Sequence, residues 1–113
     1  MKSKKELKEE YKQMKFPMGV FQIRNISGNK VFIDNSVDMP SKWNRHRVQL
    51  KFGTHRNIGL QKDWNNLGEA NFVFEILSEL DHNAESNLNH QKELQLLQKM
   101  IIEDLNLHED MMY

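Results

Sequence analysis

Apolar residues along this chain follow two different periods. Gly19 to Arg24 and Lys30 to Asp34 alternate apolar and polar positions, with β-branched and aromatic residues on the apolar steps, which predicts two β-strands. Between them, Asn25-Ile26-Ser27-Gly28-Asn29 is turn chemistry, so the pair reads as a hairpin. From Met39 the period becomes helical. Trp43, Arg47 and Leu50, with His46 beside them, recur at helical spacing up to Gly53; Asp38 is placed to cap this helix and Pro40 falls in its first turn. A second helix is predicted from Asn57 to Leu67, with Leu60, Trp64 and Leu67 on one face and Gly68 as its stop. Phe72, Phe74 and Ile76 alternate in a third strand that runs to Leu77. Asp81 to Asn89 is a polar loop, and a last helix from Asn89 to Leu105 carries Leu94, Leu97, Ile101 and Leu105 on one stripe. Ahead of the hairpin, Ser3-Lys4-Lys5-Glu6 reads as a capping box opening a short helix with Leu7, Tyr11 and Met14 aligned, ended by Pro17. This order predicts an α+β domain over residues 17–113, a small antiparallel or mixed three-stranded sheet flanked by helices, preceded by a charged amphipathic N-terminal helix over residues 1–16.

At 113 residues the chain has room for one domain. Its mean hydropathy of -0.77 is low, yet 6 Phe, 2 Trp and 2 Tyr can seed a core. No apolar run approaches the roughly 18 residues that span a bilayer, so no membrane partner is expected. The Lys/Glu-rich start lacks an apolar signal core and cysteine is absent, so the expected location is the cytoplasm, and disulfides, Cys-zinc sites and thiol catalysis are excluded. The net charge of +0 hides segregation: residues 1–62 hold 14 of the 16 Lys/Arg but 5 of the 16 Asp/Glu. Lys42, Arg45, Arg47, Lys51, Arg56 and Lys62 follow one another with no acid between them, and His46 and His55 lie in the same stretch. Such a stretch suits phosphate, or it docks on the acidic half of the same or a second chain.

The succession Gly19-Val20-Phe21, Phe32-Ile33-Asp34, Lys42-Trp43-Asn44-Arg45-His46-Arg47, Gly53-Thr54-His55 and Leu60-Gln61-Lys62-Asp63-Trp64-Asn65, continuing through Gly68 to Leu77, resembles a GIY-YIG nuclease domain over residues 18–80. The resemblance implies a three-stranded antiparallel sheet flanked by helices and hydrolysis of DNA phosphodiesters with a divalent metal. It places the two motif tyrosines at Phe21 and Phe32, the phosphate-stabilising arginine at Lys42, an assisting residue at His46 and the metal-binding glutamate at Gln98. Phe21 and Phe32 have no hydroxyl to orient water. Asp34, in place of the motif glycine, adds a negative charge where phosphate would approach. Lys42 keeps the charge but loses the bidentate fork. Gln98 offers an amide oxygen without charge, and Glu93 and Glu103, five residues to either side, lie about 140° around the helix.

Beside these readings stand structural ones. Phe21, Phe32, Trp43 and Trp64 read as core aromatics, His46 as a relic of a site, and His55 as either a helix cap or a phosphate contact. His82, His90 and His108 have no ligand spacing, and the seven Met read as gap-fillers, with Met111-Met112 a frayed end. The expected function is an endonuclease-family domain, impaired or inactive, that binds nucleic acid (DNA by the resemblance) through Lys42, Arg45, Arg47, Lys51, His55, Arg56 and Lys62 and needs no cofactor. The alternatives are an active endonuclease using Mg²⁺ or Mn²⁺, and a module for dimerisation or for a protein partner.

Overall fold

A computed structural model of the chain describes residues 17–80 and 90–113. The expected N-terminal helix over residues 1–16 and the expected loop over residues 81–89 lie outside the described residues. The elements are β1 (Met18–Asn25), β2 (Lys30–Ser36), α1 (Met39–Lys51), α2 (Ile58–Leu67), β3 (Phe72–Leu80) and α3 (His90–Leu105), with short 3-10 turns at Glu69–Asn71 and Glu109–Met111. The sheet is antiparallel throughout in the order β2-β1-β3, as the resemblance implies.

The hairpin turn closes on one side chain. Asn25 Oδ1 accepts from the Gly28 N–H at 2.9 Å and from Ser27 Oγ at 3.2 Å, and Asn29 takes the left-handed conformation at φ 54. α1 and α2 start where caps stand. Asp38 accepts the Ser41 N–H at 3.3 Å, and Asn57 accepts the Leu60 N–H at 3.0 Å. Gly68, at φ 86, ends α2.

Because β1 is the central strand, both of its faces are covered. Phe21 and Ile23 pack under α1 and α2 with Met39, Leu50, Leu60, Trp64 and Phe72. Val20, with Val31 and Ile33 of β2, packs under Leu97, Ile101 and Ile102 of α3. Trp43 stacks on Phe74 at 5.8 Å and Trp64 meets Phe72 at 5.3 Å, so both tryptophans are packing residues. β3 continues three residues past the predicted Leu77, because Ser78, Glu79 and Leu80 pair with the start of β1. Leu67 and Leu105, expected on buried stripes, are exposed instead; Gln61 takes the buried place on α2 and Ile102 packs on α3. The last residues are not frayed. Met112 bridges Val31 and joins the α3-side cluster, and the Tyr113 N–H donates to the Val31 carbonyl at 2.9 Å. The Tyr113 hydroxyl donates to Asp63 at 2.6 Å and accepts from Asn25 at 3.0 Å; burial and the Asp63 hydrogen bond push its pKa up to about 12.

Gly19 of β1 pairs with Glu79 of β3 and leaves no room for a side chain. A Cβ there would overlap the Ser78 carbonyl oxygen and the Glu79 Cα, both backbone atoms that no rotamer change can move. Gly19→Ala is therefore expected to cost about 1–3 kcal/mol, typical of forced overpacking, read as a lower urea midpoint. An unchanged midpoint would show that the β1–β3 seam yields.

Candidate active site

The register of the hairpin sets the first part of the site. Phe21 pairs with Asp34 and Ile23 with Phe32, so Phe21, Phe32 and Asp34 share the sheet face beneath α1. On α1, Lys42 and His46 stand four residues apart and hence on one side of the helix. His55 arrives from the connection between α1 and α2. Its N–H donates to Gln61 Oε1 at 3.0 Å, and Gln61 Nε2 donates to the Leu50 carbonyl at 2.9 Å, which ties that connection to both helices.

These side chains form one hydrogen-bonded row. His46 is 3% exposed and His55 6%. His46 Nε2 lies 2.9 Å from Asp34 Oδ2, and His46 Nδ1 lies 2.9 Å from His55 Nε2. The Asn57 backbone N–H points at His55 Nδ1 from 3.0 Å. A backbone amide only donates, so His55 Nδ1 accepts and the proton of neutral His55 sits on Nε2. His55 Nε2 then donates to His46 Nδ1, and His46 Nε2 donates to Asp34. Both rings are thus fixed as Nε2–H tautomers. Phe32 presses edge-on against both, with ring centroids 5.2 Å from His46 and 5.6 Å from His55, and Phe21 lies 6.1 Å from His46.

Asp34 is the anionic end of the row. Burial works to raise its pKa, but the His46 hydrogen bond, the Asn35 N–H at 2.8 Å and the Lys42 ammonium at 3.4 Å outweigh it and hold the carboxyl below its usual value. Sequence reasoning placed Asp34 here as a repulsive charge and did not identify it as the partner of His46; nor did it find Asn57 or Gln61. Asn57 at a helix start, two residues after His55, was the available signal.

The structure thus brings together Phe21, Phe32, Lys42, His46 and His55. Gln98 approaches β2 from the α3 side. Its Oε1 accepts from Asn35 Nδ2 at 2.5 Å and its Nε2 donates to the Ile33 carbonyl at 3.1 Å. Both ends of the amide are occupied by the protein, and no cluster of three or more metal-ligating side chains occurs among the described residues. This donor set does not fit a divalent cation.

The basic stretch divides. Lys42 faces Asp34, while Arg47 and Lys51 share the Glu69 carboxylate at 2.8 and 3.6 Å. Arg24 pairs with Glu75 at 2.6 Å, another contact between the basic and acidic halves. Arg45, Arg56 and Lys62 are exposed, with no ion pair among the described residues. His55, expected as either a cap or a phosphate contact, is buried with both ring nitrogens engaged, one of them by the backbone at the start of α2. It is therefore withdrawn from the phosphate-binding set.

Comparison with curated proteins finds intron-associated endonuclease 1 of Enterobacteria phage T4, 36% identical over 64 residues, which are 57% of this chain and 26% of that protein. The chain spans about a quarter of the length of that relative. Among solved structures, the catalytic domain of the homing endonuclease I-TevI superposes with a TM-score of 0.65 at 29% identity, covering 79% of this chain and 88% of that one. A mutant of the same domain gives a TM-score of 0.66 at 28% identity, covering 80% and 86%. No family model matches the chain.

The row has a pH signature. Burial lowers the His55 pKa below 6.5, helped by His46 and Arg56 and opposed by the Asn57 hydrogen bond and Asp34. Unfolded His55 takes up a proton near pH 6.5 that the folded ring refuses, so stability is full above that pH and declines as pH falls below it. Asp34, held low, adds stability that is lost at more acid pH, below its ordinary 3.8. Urea midpoints between about pH 7 and 5 are expected to fall in the native chain and to flatten in His55→Gln. An equal slope in both would remove His55 as the cause.

Proposed function

From a GIY-YIG-like domain, we propose an endonuclease-family module that binds nucleic acid, DNA in the first instance, without cleaving it, using Arg45, Arg56 and Lys62 with Lys42 beside them. The observation that carries this reading is the Asp34–His46–His55 row. Phosphodiester hydrolysis needs a group to orient or deprotonate water, positive charge for the phosphate, and a Lewis acid. Here the resemblance's two hydroxyl positions are phenyl rings. The assisting position, His46, already donates to Asp34 and accepts from His55. Lys42 faces a carboxylate, and the Gln98 amide is engaged on both ends. Each altered group alone is the kind whose removal costs about 10²–10⁴-fold in rate, and such losses are not additive.

Nucleic acid as partner draws on two supports. The relative and the solved structures are named as endonucleases. The exposed cations lie in a stretch from Lys42 to Lys62 with no acidic residue in sequence. No such stretch occurs in the acidic second half.

Binding of a labelled duplex, followed by fluorescence anisotropy at several salt concentrations with a parallel Mg²⁺ or Mn²⁺ incubation, tests the reading. Binding is expected to weaken steeply with salt, and no product is expected. Replacing Arg45, Arg56 and Lys62 together by Gln is expected to reduce the log–log salt slope by about 0.9 for each phosphate that is no longer neutralised. Metal-dependent product that disappears in His46→Ala would establish an active nuclease. Absence of binding to duplex and single strand alike at low salt would turn the basic stretch over to a protein partner or a second copy.

A further inference from the structure

The solvent side of α1 ends in apolar residues. Arg45, Val48 and Phe52 follow at i, i+3 and i+7, within about 60° of one another around the helix axis. Phe52 is 78% exposed, and Ile58, opening α2, is 82% exposed. Between them Gly53 turns the chain at φ 73 with open space around it. An open cleft of about 470 Å³ lies at this corner, with Gly53 and Ile58 on its walls, His55 at its base, and Lys62, Asn65 and Asn66 along α2. Arg56 stands in the same turn, exposed. The corner therefore sets an exposed phenyl ring and an open cleft, with Ile58 on its wall, beside Arg56 and Lys62, which have no ion pair among the described residues.

We propose that this corner binds single-stranded nucleic acid, an unpaired base stacking on Phe52 and its neighbour lodging against Ile58, with phosphates on Arg45, Arg56 and Lys62. The inference rests on the nucleic-acid reading above and specifies the strand state. A duplex keeps its base faces inside the stack and offers a protein its edges and phosphates, so it would leave Phe52 and Ile58 uncovered. An unpaired base has a free π-face, and stacking on an aromatic ring beside backbone-tracking cations is how single strands are held without sequence preference. Along the same helix, Asn65 and Asn66 add polar amides to the cleft lining, the Asn65 Oδ1 already accepting from Gln61 Nε2 at 2.9 Å. Protein interface cores, by contrast, are depleted in lysine.

The test uses the full chain with labelled oligo-dT, oligo-rU and a DNA duplex of equal length, by anisotropy at low salt. Single strands are expected to bind more tightly than the duplex, and the dT and rU arms distinguish a DNA from an RNA source. Phe52→Ala is expected to weaken single-strand binding about 5- to 150-fold, the equivalent of one stacked base. Duplex affinity and the salt slope should stay unchanged, and Phe52→Trp should keep the binding. Because Phe52 faces solvent, its replacement leaves folding intact, which circular dichroism checks. Phe52→Ala equal to the native chain, or losing duplex and single strand alike, overturns the proposal. Duplex binding without a single-strand preference overturns it while the nucleic-acid reading stands. No binding of any oligonucleotide removes both.

Discussion

The Asn57 backbone N–H, aimed at His55 Nδ1, orients everything beyond it. It fixes one tautomer, that tautomer fixes the next, and the last proton points at Asp34. Every polar atom in the row has a partner, which is what makes two imidazoles tolerable under Phe21 and Phe32. The same arrangement has no slack. A proton added at His46 Nδ1 would face the His55 Nε2–H, and one added at His55 Nδ1 would face the Asn57 N–H. Chemistry that needs His46 to take up or release a proton would have to break the row that holds α1, β2 and the start of α2 together.

This constraint links the fold to the site. In the sheet, Gly19 lets β1 and β3 approach, and the hairpin register then delivers Phe32 and Asp34 beneath α1. The scaffold superposes on that of the I-TevI catalytic domain, and at the site the polar groups bind one another. Asp34 neutralises Lys42 and anchors His46. Gln98 fastens α3 to β2 through Asn35 and Ile33. What remains outward-facing is the far side of α1 and the corner with α2, where Arg45, Arg56, Lys62 and Phe52 are exposed.

Much of this architecture was legible in the sequence, because local signals and global fold agree. Alternation marks all three strands, Asp38 caps the helix it precedes, and Gly68 stops α2. That Phe21, Phe32, Lys42 and His46 would lie near one another was an expectation of the ordered resemblance. The partners did not. Asp34 and His46 are twelve residues apart, and only a strand lying under a helix brings them to 2.9 Å. The docking of Met112 and Tyr113 on β2 was invisible for the same reason, since its partners Val31, Asn25 and Asp63 are distant in sequence. Leu67 and Leu105 fit the helical period but are the last residues of their helices and are exposed. The division of the basic stretch depended on Glu69, whose place beside α1 is set by the turn after α2.

The most direct measurement is the tautomeric state of the two histidines by nitrogen-detected NMR of imidazole-labelled protein near neutral pH. Two neutral Nε2–H rings, each with a hydrogen-bonded proton, are the expected result; the His46 proton should move when Asp34 is replaced by Asn. An Nδ1–H tautomer at either ring, or a rapidly exchanging unbonded His46, would mean that the row does not close and that a base is still available at the site.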